Sequence, residues 1–78
     1  MLFDLFRKKK KKKPLQDIEG ALLEIGDRVN CMRYEMGESV LQIGELGFEY
    51  KSIETGKIVN YTKMIDASTS FQKVKKLN

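Results

Sequence analysis

The chain of 78 residues has no histidine and no tryptophan. Without histidine it lacks the side chain that most often serves as general base and as metal ligand near neutral pH. Its one cysteine, Cys31, excludes an intrachain disulfide. A single thiol with no imidazole makes neither a zinc site nor a cysteine–histidine nucleophile. There is one proline, Pro14, and the six glycines are scattered, so no phosphate-cradling loop is present. No apolar run approaches the roughly 18 residues of a membrane span. A secretory leader places its charges before an apolar stretch, and here the order is reversed. Glu35 and Glu38 flank a turn, but with ten acids on a small surface such neighbours arise by chance. These absences lead to the expectation of a cytoplasmic, non-enzymatic protein with no cofactor, no metal and no small-molecule substrate.

What is present is charge sorted by position. Arg7, Lys8, Lys9, Lys10, Lys11, Lys12 and Lys13 stand against Asp4, a net of +6 over residues 1–13. Residues 14–66 hold five cations and ten acids, a net of −5, and Lys73, Lys75 and Lys76 add +3 at the C-terminal end. An acidic body therefore lies between two basic ends. Ahead of the cation run stand Leu2, Phe3, Leu5 and Phe6, of which residues 2, 5 and 6 share one face at helical spacing. A run of seven like charges reads as a contact for a polyanion or, alternatively, as a solubilising linker. The apolar residues beside it call for a receiving surface: the folded body, a partner or a membrane.

The body is organised around residues 25–61, where short β-type runs alternate with turn signals. Residues 24–76 are expected to form one small domain, residues 14–23 a lead-in, and residues 77–78 the end. In the lead-in, Leu15, Ile18 and Leu22 have helical spacing interrupted by Gly20. This predicts one or two helical turns or an irregular segment, with Leu22 and Leu23 capping the domain. Strands are expected over residues 28–35, 39–45, 48–53 and 57–60, with turns at Met36-Gly37-Glu38, Leu46-Gly47 and Glu54-Thr55-Gly56. Val29 and Cys31 share one face of the first strand, so Cys31 is expected to be a buried, inert core residue. Gly44 within the second strand suggests a bulge or a close approach. Phe48, Tyr50 and Ser52 share one face of the third. Residues 62–66 break the alternation as a single helical turn would. Residues 71–75 are expected to close the structure, with Phe71 and Val74 inward.

Ile25-Gly26-Asp27-Arg28-Val29, the four-strand meander, the helical turn and the short last strand together resemble the small five-stranded barrel of KOW, Tudor and Src-homology-type (SH3-like) domains. The resemblance implies a mostly β fold: an SH3-like barrel over residues 24–76, one short helical turn before the last strand, and here a basic N-terminal tail. It also implies a binding module. Arg33, Tyr34, Tyr61 and Lys63 are the candidate ligand face, because a ring beside a cation can stack a base or hold a peptide. Tyr61 and Phe48 equally suit a core short of bulk. The polyanion-binding candidates are the seven cations of the tail. RNA or the ribosome is the expected partner. The alternative is a peripheral membrane adaptor at the inner face of the membrane, with Leu2, Phe3, Leu5 and Phe6 as apolar anchor. A protein partner paired to a sheet edge is compatible with either.

Overall fold

A computed structural model describes residues 15–77. Five antiparallel strands, β1 (Arg28–Cys31), β2 (Gly37–Gly44), β3 (Gly47–Ser52), β4 (Ile58–Asn60) and β5 (Val74–Lys76), form one sheet in the order β4-β3-β2-β1-β5. A 3₁₀ turn, Tyr61–Met64, lies between β4 and β5. The strands follow from period-two alternation. Val29 and Cys31 point inward while Arg28 and Asn30 are exposed. Register then aligns inward residues across strands: Leu41 opposes Tyr50 and Tyr50 opposes Val59, while Cys31 opposes Val74. These residues, with Leu23, Val29, Met36 and Met64, make the core. Tyr50 is fully buried, and its hydroxyl donates to Gln72 Oε1 at 2.8 Å, so the ring contributes bulk without stranding a polar atom.

The mostly β, five-stranded architecture with one short helical turn matches the sequence expectation, but the sheet is not closed into a barrel. Among the described residues no ladder joins β4 to β5. Both strands are only three residues long. The chain instead crosses the gap with an isolated bridge, Ile65 to Gln72. The Lys73 amide donates to the Met64 carbonyl at 2.6 Å, and the Asp66 amide to the Phe71 carbonyl at 2.8 Å. Met64 fills the space behind them and is fully buried.

Further expectations are corrected, or narrowed to one of their alternatives. The first strand ends at Cys31 rather than running on, because Tyr34 and Glu35 adopt left-handed φ values of 63° and 54°. That conformation costs roughly 1–2 kcal/mol per residue outside glycine, and it delivers Met36 into the core with no exposed surface. The turn therefore precedes Met36, and Gly37 already belongs to β2. Of the two alternatives for Gly44, the close approach holds: it pairs directly with Gly47, and a Cβ there would run into the Glu49 carboxylate. Of the alternatives for the lead-in, the irregular segment is the one found. Gln16 and Leu22 form an antiparallel bridge about a tight turn in which Gly20 has φ +89°. Only Leu23 of the leucine pair is buried; Leu22 is 56% exposed. Finally, Phe71 is half-buried and outside the core, and Val74 alone of that pair is inward.

Gly56 supplies the left-handed turn before β4, with φ +79°, and a Cβ added there would meet nothing within 4 Å. Gly56→Val therefore meets backbone strain but no collision. It should lower stability by about 1–2 kcal/mol in urea unfolding, and an unchanged midpoint would show that this turn tolerates a β-branched residue. Cys31 is buried, and burial pushes its thiol pKa up against the opposing effect of a hydrogen bond with Ser39. Native protein should accordingly react with a thiol reagent far more slowly than the urea-unfolded chain. Equal rates would mean that the strand register is shifted by one residue.

Candidate functional site

The candidate ligand face divides into two features. Arg33 and Tyr34 lie in the loop after β1, where Arg33 Nη1 donates to the Lys63 carbonyl at 2.9 Å and the Tyr34 hydroxyl donates to the same oxygen at 3.4 Å. The second is at the long limit for such a bond. Lys63 thus joins them through its backbone, not its charge. Lys57 Nζ sits 5.6 Å from the centre of the Tyr34 ring, within cation–π range. This cluster fastens the β1–β2 loop onto the 3₁₀ turn, and the Tyr34 ring stays 44% exposed.

Tyr61 belongs elsewhere. Its ring meets Phe48 edge-on, with centroids 6.0 Å apart and planes at 89°. The two form part of an apolar groove of about 460 Å³ that none of Arg33, Tyr34 and Lys63 lines. Its apolar walls are Leu15, Leu46, Phe48, Tyr61, Ile65 and Phe71, and Gln16, Thr69, Ser70 and Gln72 supply polar edges. The volume falls within the range of ordinary ligand pockets, roughly 300–1,000 Å³. The groove lies where the β2–β3 hairpin, the 3₁₀ turn and the segment before β5 come together around the gap in the sheet. Sequence reasoning assigns Phe48 and Phe71 to the core and Tyr61 to the core or the candidate ligand face. One signal pointed elsewhere: Leu46 lies in a hairpin turn, where an apolar side chain has no core to enter, and it is 83% exposed.

The C-terminal cations are engaged within the fold. Lys75 Nζ lies 3.0 Å from Glu19, Lys76 Nζ 3.4 Å from Asp27, and Lys73 Nζ 3.5 Å from Asp66. The Thr69 hydroxyl, which donates to Asp66 at 2.8 Å, is the main cause holding that carboxyl below its ordinary range, with Ser68 and Lys73 adding to it against partial desolvation. The lead-in is tied to β5 through Asp17, which is 2% exposed. Its carboxylate accepts from the amides of Glu19 at 2.9 Å, Ala21 at 2.8 Å and Lys76 at 2.9 Å.

The polyanion candidates Arg7 and Lys8 through Lys13, and the apolar candidates Leu2, Phe3, Leu5 and Phe6, lie outside the described residues. Among the described residues, no helix is long and apolar enough to cross a membrane. No family model matches the chain, and neither a curated protein nor a solved structure matches it.

Proposed function

We propose that this chain is a non-enzymatic binding module of the cytoplasm. In this reading, residues 7–13 contact RNA, in a ribosome-associated setting, and the folded domain serves as the docking body. The observation that carries the reading is the segregation of charge. The C-terminal lysines each face an acid of the same domain, so the run of seven cations is the one strongly positive segment left for phosphate. A 3₁₀ turn between the fourth and fifth strands supports assignment to the KOW, Tudor and Src-homology type of small barrel, opened here between β4 and β5.

A second reading, a membrane-surface adaptor, is favoured by one feature: four apolar residues adjoin the cations. Together they make the two signals that stable peripheral attachment needs. Each cation near an anionic surface adds about 1 kcal/mol. Sedimentation of a lysate expressing the full chain decides between the two. Co-migration with ribosomes, released by raised salt, is the expected result. Pelleting with membranes, or remaining in the supernatant, would overturn the RNA reading.

A further inference from the structure

The groove has its own candidate occupant in the same chain. The chain outside the described residues on the N-terminal side is residues 1–14, and it joins the fold at Leu15, which is itself a wall of the groove. The apolar residues Leu2, Phe3, Leu5 and Phe6 are separated from that wall by only residues 7–14. Eight residues span at most about 29 Å when fully extended. The apolar segment is therefore within reach of the groove. A covalent connection this short gives an effective concentration of order millimolar, so a contact too weak to form between separate molecules can form within one.

Chemistry agrees with position. The groove offers three aromatic rings, Phe48, Tyr61 and Phe71, with the exposed aliphatics Leu46 and Ile65 at its edge. The segment offers two leucines and two phenylalanines in five residues.

We infer that Leu2, Phe3, Leu5 and Phe6 dock into the Phe48–Tyr61–Phe71 groove of their own chain, as an intramolecular plug. The plug places the cation run across the acidic body. It also withholds the apolar residues from any other surface until a competitor displaces them. This inference does not depend on which polyanion the lysines meet.

The test uses the full chain. A nitroxide is attached through Asp4→Cys, since buried Cys31 reacts slowly, and amide signals are recorded by NMR. Docking predicts strong broadening at Leu46, Gly47, Thr69 and Ser70, unchanged by tenfold dilution, with Asn30 and Lys51 unaffected. Phe3→Ser combined with Phe6→Ser should reduce the groove broadening to the level of those remote sites. Leu46→Ser should weaken it from the other side, and its 83% exposure makes unfolding no explanation. Groove amides no broader than the remote ones would overturn the inference. So would broadening that fades on dilution, or that passes fully from a spin-labelled chain to an isotope-labelled chain without a nitroxide, because a second copy would then be the occupant.

Discussion

Asp17→Ala is expected to lower stability by about 2–4 kcal/mol, a large share of what a domain this small possesses. The carboxylate is almost wholly buried and holds three backbone amides, two of them within its own turn and the third on Lys76 in β5. Alanine leaves all three donors without an acceptor in a site where water enters poorly. The seam it would open also includes the Ile18 amide, which donates to the Val74 carbonyl at 2.9 Å. The same group predicts a dependence on pH. Burial by itself pushes the Asp17 carboxyl up, but the amides of Lys76, Ala21 and Glu19, with the charge of Lys75, outweigh it and hold the group below its ordinary value. A folded pKa below the unfolded one means stability that is fully present above the unfolded value, about 4. That contribution is lost as pH falls through the lower, folded value. Urea unfolding of the parent and of Asp17→Asn, from pH 7 down to pH 2, should show a gap between them that narrows below about pH 4. A gap constant across that range would mean the carboxylate's charge plays no part.

Serine at residues 8–13 is expected to remove most of the affinity for any polyanion while leaving the fold intact. Residues 1–13 carry seven cations against one acid, and residues 15–77 carry eight against ten, so +6 faces −2. If four to six tail cations reach duplex phosphates, binding of the parent should weaken with salt at a log–log slope of roughly −4 to −5. The serine variant should show a nearly flat line and an unchanged urea midpoint. Phe3→Ser with Phe6→Ser separates the two proposed targets. On anionic vesicles, loss of the two rings should release the protein with every lysine intact, because charge alone holds it loosely. On RNA, the ring changes should matter far less than the lysine changes. A serine variant that binds both targets as well as the parent does would make the tail a linker and move the function to the folded domain.

Much of the local structure could be read from the residues. Phe48, Tyr50 and Ser52 alternate with Glu49 and Lys51, so β3 was legible from pattern alone, and Gly56 announced its turn. The 3₁₀ turn showed itself where Met64 and Ile65 break the alternation. What was hidden depends on residues far apart in the chain. Met36 looked like part of a turn, and only the assembled core shows that its burial outweighs two strained residues before it. Lys73, Lys75 and Lys76 looked like a basic end, and their acids are supplied by residues 66, 19 and 27. Asp17 carried no signal, because its third donor lies 59 positions away. The groove exists because β4 and β5 stop short of each other, and the alternation of side chains does not encode where a sheet stops.

The seam between the lead-in and β5 has a consequence for how the molecule is made. Leu77 donates its amide to the Arg28 carbonyl, Lys76 to Asp17, and Val74 accepts from Ile18, so the lead-in and β1 each need partners from the β5 end of the fold. Synthesis proceeds from the N-terminus, and contacts of such long sequence separation form late and slowly. The hairpin of β2 and β3 can form as soon as it is made, but β1 then waits with one side bare until β5 exists. The lysine run, by contrast, precedes every strand in the chain. During its own translation this chain therefore presents its cations before it possesses a domain. The sheet is closed on its β1 side only when residues 74–77 are present, so deleting residues 75–77 removes the amides that reach Asp17 and Arg28.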